Sequence, residues 1–242
     1  MRPRGKPTVR MGAALLALGA IQVRFAVAWG GWWSLLAWCG AAFSIAGVAH
    51  VTSAPWLLGK GRDGRMNAVS LLVLLPYFLV TWGRWQLEWW LSSEKPWDEV
   101  APGLFLGRWP GRSRLPPRVE IVVDMTAELP APSWLVGACE YVSLPTLDTT
   151  APDRARFAEV ARQVAESPVP AYIHCALGHG RSATMAAAVL LSRRIAGTVP
   201  EALHRLRAVR PRVRLEASQL RLLEVYEREL RDAGSAVRHE RA

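Results

Sequence analysis

The first third of the chain is dominated by one long apolar run. From Met11 to Leu58 the only charged residue is Arg24. The run is long enough for two membrane-spanning helices, since each needs about 20 apolar residues. The pair Gly30–Gly31 is a suitable turn, so the pattern predicts spans near residues 11–29 and 32–50. A cleaved signal peptide is disfavoured, because the apolar pattern continues well past any cleavage point.

Residues 66–83 form a second apolar segment, which Pro76 interrupts. It fits either a third span or a re-entrant or in-plane segment, because proline breaks the hydrogen bonding of a helix. Basic residues at the N-terminus and in the loop 60–65 place both ends of the first hairpin in the cytoplasm. We therefore expect residues 1–92 to be an all-α transmembrane region with two or three spans, in a multi-pass protein of the cell inner membrane. Two spans, which we favour, leave the following domain on the cytoplasmic side, and three place it outside.

From residue 93 the pattern becomes that of an α/β domain. Short runs of β-branched and aromatic residues predict strands at 103–107, 119–123, 141–144 and 169–174. Helical spacing of apolar residues predicts helices at 153–166, 181–195, 200–209 and 216–232. We therefore expect one α/β domain over residues 93–235, followed by a short flexible tail at 236–242.

Composition and charge limit the classes of binding partner that fit this chain. The net charge is +10, and ten of the twelve tryptophans lie between Trp29 and Trp97. A basic protein suggests nucleic acid or an anionic membrane surface. The chain has no basic-aromatic motif for nucleic acid, so membrane lipids are the expected partner. Seven arginines near the C-terminus either face anionic headgroups or form a solvated surface: residues 193, 194, 205, 207, 210, 212 and 214.

The stretch from Ala171 to Thr184 carries the candidate chemistry. A predicted strand ends in Cys175, a turn with two glycines follows, and a helix pattern opens at Arg181. Backbone N–H groups in such a turn can converge on one anion, and the helix N-terminus adds its positive end. We therefore expect a phosphate-binding loop made by Ala176, Leu177, Gly178, His179, Gly180 and Arg181. Both glycines are expected to adopt positive φ angles.

Four side chains in this stretch have candidate roles. The reactive form of a cysteine is the thiolate, which a helix N-terminus and nearby positive charge both favour. Cys175 would have both influences and is the candidate nucleophile. Arg181 offers a planar fork that matches two phosphoryl oxygens. Ser182 can donate a hydrogen bond to the sulfur, and His174 can orient the base of the loop.

The arrangement His-Cys-x-x-Gly-x-x-Arg-Ser at residues 174–182 resembles the signature of the cysteine-based protein tyrosine phosphatases. It is most similar to the dual-specificity branch. The similarity extends over residues 97–231, from an opening strand at 97–107 to a closing segment at 210–223. It implies a small, mostly parallel central sheet flanked by helices, with the loop at its carboxyl end. The preceding apolar region resembles that of bacterial membrane-attached relatives.

The chemistry also needs a proton donor for the leaving oxygen. Asp148 follows a predicted strand in Pro-Thr-Leu-Asp and resembles the general acid of dual-specificity phosphatases. Asp153 is the rival, but its position after Pro152 is better explained as a helix start. Asp124 is better explained as the cap of a turn.

Three functions remain open on these residues. The first is a membrane-attached phosphomonoesterase that forms a phosphocysteine intermediate, on a phospholipid such as phosphatidylglycerophosphate. The second is a membrane-tethered protein tyrosine, serine or threonine phosphatase. The third, a non-catalytic phosphate-binding module, is disfavoured because Cys175, Arg181 and Asp148 are all present. The expected mechanism requires no metal and no cofactor.

Overall fold

The computed structural model describes residues 7–111 and 115–239. Its helices are α1 Pro7–Trp29, α2 Leu35–Thr52, α3 Ala68–Val73, α4 Leu75–Leu91, α5 Arg154–Glu166, α6 Arg181–Ser192, α7 Val199–Val209 and α8 Ala217–His239. Its strands are β1 Trp97–Ala101, β2 Leu104–Arg108, β3 Ile121–Thr126, β4 Glu140–Thr146 and β5 Ala171–Cys175. Short 3₁₀ turns cover Gly31–Ser34 and Pro55–Leu58.

Helices α1 and α2 form a tight hairpin. The predicted turn at Gly30–Gly31 is confirmed, with φ angles of 59° and 54°. A Cβ atom on Gly12 would lie 2.8 Å from the Gly47 carbonyl oxygen, and one on Gly19 would lie 2.7 Å from that of Gly40. Small residues at these crossings let the two backbones approach closely, as in membrane helix pairs. Within the described residues, Val9–Trp29 and Gly31–Thr52 are the two helices long and apolar enough to cross a membrane.

The second apolar segment is divided into two helices. Asn67 caps α3 by accepting hydrogen bonds from the backbone N–H groups of Val69 and Ser70. The helix is interrupted at Leu74. Pro76 lies in the first turn of α4, where a backbone N–H has no partner within the helix, so its absence costs no hydrogen bond. The segment therefore bends at the position that the proline predicts.

The second domain is built on a five-stranded sheet with the order β1-β2-β5-β3-β4. Strands β2, β5, β3 and β4 run parallel, and β1 pairs antiparallel with β2. The predicted α/β class with a mostly parallel sheet is confirmed. The carboxyl ends of the four parallel strands therefore meet at one edge, where ligands bind in open α/β sheets.

Alternate residues of the strands face two different layers. Ile121, Val123 and Ile173 pack in the main core against α5, α6 and α8. Val122 and Tyr172 face the opposite layer. Helix α8 continues to His239, so the tail predicted as flexible is helical up to that residue. The last residues of the chain lie outside the described part.

The N-terminal region packs directly against the α/β domain. Side chains of α2 and α4 form one apolar cluster with Ala127 and Leu147, which follow β3 and β4. The Lys60 ammonium is buried, donates to the Asp124 carboxylate, and also donates to the Thr126 carbonyl at 2.9 Å. Lys60 is one of the basic residues predicted in the loop 60–65, and its charge is buried against Asp124.

Candidate active site

The loop between β5 and α6 folds as a compact turn around the Cys175 sulfur. Gly178 has a φ of 81°, and a Cβ there would lie 2.6 Å from the Gly107 backbone on the neighbouring strand. Only glycine fits this position, as predicted. Gly180 has a φ of −110°, so the expected positive φ is wrong at this residue. It immediately precedes α6 and needs no left-handed backbone.

The loop carbonyls are held outward by donors from distant parts of the chain. The Ala176 carbonyl accepts the Trp109 backbone N–H at 3.2 Å and the Trp85 indole N–H at 3.0 Å. The Leu177 and Gly178 carbonyls accept the Arg210 guanidinium at 2.9 and 3.0 Å. Since these carbonyls point away from the sulfur, the loop N–H groups are left to face an anion at its centre.

Arg210 has a structural role that the sequence did not predict. It is 1% exposed, and its guanidinium contacts the Asp98 carboxylate at 2.8 Å besides the loop carbonyls. The expectation that residue 210 faces solvent or headgroups is therefore wrong. A charged side chain this deeply buried requires such partners, and no local pattern could reveal that they lie more than 30 residues away.

The Cys175 side chain is 3% exposed at the end of β5. Its sulfur accepts the Gly178 N–H at 3.3 Å and the Ser182 hydroxyl at 3.2 Å. Ser182 therefore lies where its predicted contact requires. His174 is fully buried, and neither ring nitrogen has a hydrogen-bond partner among the described residues. Burial lowers the pKa of His174 to about 4, so the ring is neutral and supports the base of the loop by packing.

Arg181 is anchored by the carboxylate of Glu128, which no sequence motif indicates. Its Nη1 and Nη2 atoms donate to the two Glu128 carboxylate oxygens at 2.8 and 2.7 Å, and Nη1 also donates to the Thr146 carbonyl. Burial disfavours the charge, but Glu128 and Asp148 outweigh burial and raise the pKa of Arg181. A guanidinium has five N–H donors. Among the described residues, the Nε–H and one Nη2–H make no hydrogen bond, and they form a fork beside the loop.

The three candidate aspartates occupy different environments. Asp148 lies 3.6 Å from the Arg181 guanidinium, its side chain is 56% exposed, and it lines the same cavity as Cys175. Asp153 caps α5 by accepting the Arg156 N–H at 2.9 Å. Asp124 caps a turn and pairs with Lys60. Of the three, only Asp148 can reach a group bound in the loop.

A cavity of about 250 Å³ lies above the loop. On the side of the phosphatase domain it is lined by Cys175, Arg181 and Asp148, together with Leu129 and Leu147. Its other wall is formed by the N-terminal helices: Met11 and Leu15 of α1, Phe43 and His50 of α2, and Tyr77, Val80, Thr81, Arg84, Trp85 and Glu88 of α4. The catalytic candidates and the apolar hairpin therefore enclose one cavity.

The parallel sheet, the loop at its carboxyl edge and the buried cysteine define a cysteine-based phosphatase domain. Residues 113–229 match the family model described as PTP-SAK, Swiss Army Knife protein, DSP-PTPase phosphatase domain. This part of the chain is therefore a dual-specificity phosphatase domain of the cysteine-based protein tyrosine phosphatase superfamily.

Curated and solved relatives agree with this family. The chain is 26% identical to phosphatidylglycerophosphate phosphatase PTPMT2 of Arabidopsis thaliana over 181 residues, which cover 70% of this chain and 78% of the relative. It also resembles the crystal structure of PTPMT1 in complex with PI(5)P, with a TM-score of 0.52, 22% identity and coverage of 58% and 99% of the two chains. For human DUSP28 the TM-score is 0.50, with 22% identity and coverage of 57% and 97%. The two solved structures establish the likeness in fold.

Proposed function

We propose that this protein is a membrane-attached phosphomonoesterase that acts on a lipid phosphate such as phosphatidylglycerophosphate. The observation that carries the proposal is the shared cavity, in which Cys175 faces apolar side chains of α1, α2 and α4. A lipid presents a phosphate next to acyl chains, and this cavity offers a phosphate-binding floor next to apolar helices. The relationship to a phosphatidylglycerophosphate phosphatase supports the same substrate class.

The alternative of a protein phosphatase fits this cavity less well. A phosphorylated side chain on a folded partner needs an approach from bulk solvent, with room for the partner's backbone. Here α4 lies over the loop, and its Trp85 indole donates directly to the Ala176 carbonyl. Leu15 and Phe43 line another side of the cavity with apolar surface. A polar phosphopeptide would make few favourable contacts with that surface.

In the first chemical step, the Cys175 sulfur attacks phosphorus while the bond to the leaving oxygen breaks. The loop N–H groups and the Nε–H and Nη2–H fork of Arg181 hold the transferring phosphoryl oxygens. Glu128 fixes the opposite edge of the guanidinium, so the fork does not have to be oriented at each turnover. Asp148 gives its proton to the leaving lipid alkoxide.

In the second step, water attacks the phosphorus of the phosphocysteine, and Asp148 takes a proton from the attacking water. The phosphorus–sulfur bond breaks, and inorganic phosphate forms. Ser182 donates to the sulfur at 3.2 Å and stabilises the thiolate that leaves. All the groups in this scheme are side chains and backbone amides of the described loop and its neighbours.

Contacts on both sides of the second apolar segment support a two-span topology. Before it, Lys60 pairs with Asp124, and the Gly64 carbonyl accepts the Ala131 N–H at 2.8 Å. After it, Trp85 contacts the loop. Both ends therefore lie on the side of the phosphatase domain. We infer that residues 66–83 lie along the membrane surface and that the domain is cytoplasmic.

The substrate class is tested with the full-length chain in mixed micelles. Phosphate release is measured from phosphatidylglycerophosphate, from phosphatidic acid and from phosphotyrosyl and phosphoseryl peptides. We expect lipid hydrolysis that Cys175→Ser abolishes. Hydrolysis of the peptides with no release from either lipid contradicts the lipid assignment and favours the protein phosphatase. Hydrolysis that survives Cys175→Ser contradicts the cysteine mechanism itself.

The topology is tested separately with reporter fusions that distinguish the two sides of the membrane. A reporter after Ala242 is expected to report the cytoplasmic side. The matched control places the same reporter at the Gly30–Gly31 turn, which is expected to report the opposite side. Identical answers at both sites contradict the two-span topology.

A further inference from the structure

A second cavity of about 410 Å³ lies beside the phosphate-binding loop, and its lining residues lie outside α1 and α2. It shares Glu88, Leu177 and His179 with the catalytic cavity, so the two cavities are neighbours. Three arginines line it: Arg108, Arg210 and Arg212. Nothing in the chemistry described above uses this cavity.

Arg108 is the distinctive residue of the second cavity. It ends β2, and its register partner on the neighbouring strand is Cys175. Adjacent strands lie about 4.8 Å apart, so the backbone of Arg108 runs directly beside the nucleophile. The residue is 8% exposed, its Nε has no hydrogen-bond partner, and no ion pair among the described residues involves its guanidinium.

The contact between Arg108 and Trp89 leaves the N–H donors of the guanidinium available. The Arg108 guanidinium lies over the Trp89 ring, with Cζ 5.1 Å from the ring centroid. Stacking of this kind uses the face of the guanidinium, while its N–H donors lie in the plane. A buried cation whose donors are unpaired is costly. The arrangement is therefore suited to an acceptor that arrives with the ligand.

The remaining charges in the cavity are largely paired with one another. Arg210 contacts Asp98 at 2.8 Å, and Glu94 contacts His179 at 2.6 Å. Arg212 is 62% exposed and lies 3.9 Å from Glu94. Glu88 pairs with Arg84 at 2.8 Å. Glu94 also lies 3.7 Å from Arg210, so one carboxylate is shared by two arginines. Among the described residues Arg108 is the lining arginine without an ion pair, and the arginines here outnumber the carboxylates by one, so the cavity favours one oxyanion.

We propose that this cavity binds a second phosphate-type anion beside the phosphate that is transferred to Cys175. Within the proposed function, on which this inference rests, the anion is the phosphodiester of a lipid that also carries a phosphomonoester. Free inorganic phosphate has the same chemistry and is the other source. In the first case Arg108 determines specificity, because it distinguishes lipids with two phosphate groups from lipids with one.

The test compares two lipids of identical acyl chains with the full-length chain. Phosphatidylglycerophosphate carries a monoester and a diester, whereas phosphatidic acid carries the monoester alone. We expect Arg108→Gln to lower the ratio of their kcat/KM values about tenfold, and Arg108→Lys to lower it about threefold. A general folding defect lowers both rates and leaves their ratio unchanged. The matched control is Arg205→Gln on α7, an exposed arginine paired with Glu201, which is expected to keep the wild-type ratio.

A calorimetric titration with inorganic phosphate distinguishes the two sources. It compares full-length Cys175→Ser with the same chain carrying Arg108→Gln as well. Suppose that Arg108→Gln removes one of two phosphate-binding events but leaves the kcat/KM ratio of the two lipids unchanged. That result supports the site and identifies free phosphate as its ligand. An unchanged lipid ratio together with unchanged phosphate stoichiometry overturns the proposal. If the wild-type chain hydrolyses neither lipid, the proposed function fails, and the titration alone decides the anion site.

Discussion

The buried pair between Lys60 and Asp124 makes a quantitative prediction about how the two regions are joined. Both side chains are fully buried. Burial opposes ionisation of Asp124, but the Lys60 charge and hydrogen bonds to the carboxylate lower its pKa from 3.8 to about 2. That difference corresponds to folding stability on the order of 2 kcal/mol at neutral pH.

Replacing Lys60 with Met removes the counterion and leaves the carboxylate in place. Breaking a buried pair in this way typically costs about 3–5 kcal/mol, since the uncompensated charge remains buried. For a chain of this size that corresponds to a Tm lower by about 10 °C. The measurement is thermal unfolding of the full-length variant in detergent, followed by tryptophan fluorescence.

The double variant Lys60→Met with Asp124→Asn is the control for this prediction. Asparagine keeps the oxygen that accepts the Thr126 N–H at 2.8 Å and carries no charge. The double variant is therefore expected to recover at least half of the lost Tm. A Lys60→Met protein that melts within 2 °C of the wild type refutes the role of Lys60 as counterion.

The difference in Tm between the wild type and Lys60→Met is expected to depend on pH. In the wild type the low folded pKa of Asp124 contributes stability above the unfolded pKa of about 3.9, and this contribution is lost as pH falls toward 2. In Lys60→Met, burial without a cation raises the folded pKa, so stability falls as pH rises. The Tm deficit should therefore narrow when pH is lowered from 7 to about 4.5. A deficit that widens over this range contradicts the assignment.

Three further predictions concern the catalytic loop and are measured by steady-state kinetics on an aryl phosphate. Glu128→Gln keeps the shape of the side chain but removes its charge, and it should lower kcat about 100-fold, because small errors in positioning cost about that much; a change under threefold contradicts its role. Asp148→Asn should lower kcat about 100-fold or more, because the leaving oxygen then departs without a proton donor; a change under threefold contradicts the assignment of Asp148 as the acid. Trp85→Phe removes the donor to Ala176, a bond worth about 1 kcal/mol, so kcat/KM should fall about fivefold, whereas the exposed Trp90→Phe should have no effect.

The fold and the centre of the site could be predicted because their signals are local. The turn at Gly30–Gly31, the strand that ends at Cys175 and the helix that opens at Arg181 each depend on neighbouring residues. The same is true of the cap that Asp153 provides for α5. Periodicity and short-range hydrogen bonding decide such features, and both are visible in a few consecutive residues.

The supports of the site could not be predicted, because their partners are far apart in sequence. Glu128 lies 53 residues from Arg181, and Trp85 lies 91 residues from the carbonyl that it contacts. Sequence predicts Lys60 only as one residue of a basic loop, since nothing in its neighbourhood indicates a carboxylate 64 residues away. A charge pattern gives the number of charges but not which of them are buried.

The contact between α4 and the loop has a consequence for when the enzyme becomes competent. Of the two donors that orient the Ala176 carbonyl, the Trp109 N–H comes from the phosphatase domain and the Trp85 indole comes from α4. Helix α4 also closes one side of the cavity, through Val80 and Thr81. A newly made chain whose α4 has not yet docked lacks one donor and that wall. Latency of this kind would protect soluble phosphoesters from the nucleophile until the protein reaches its lipid, without any inhibitor or removable segment.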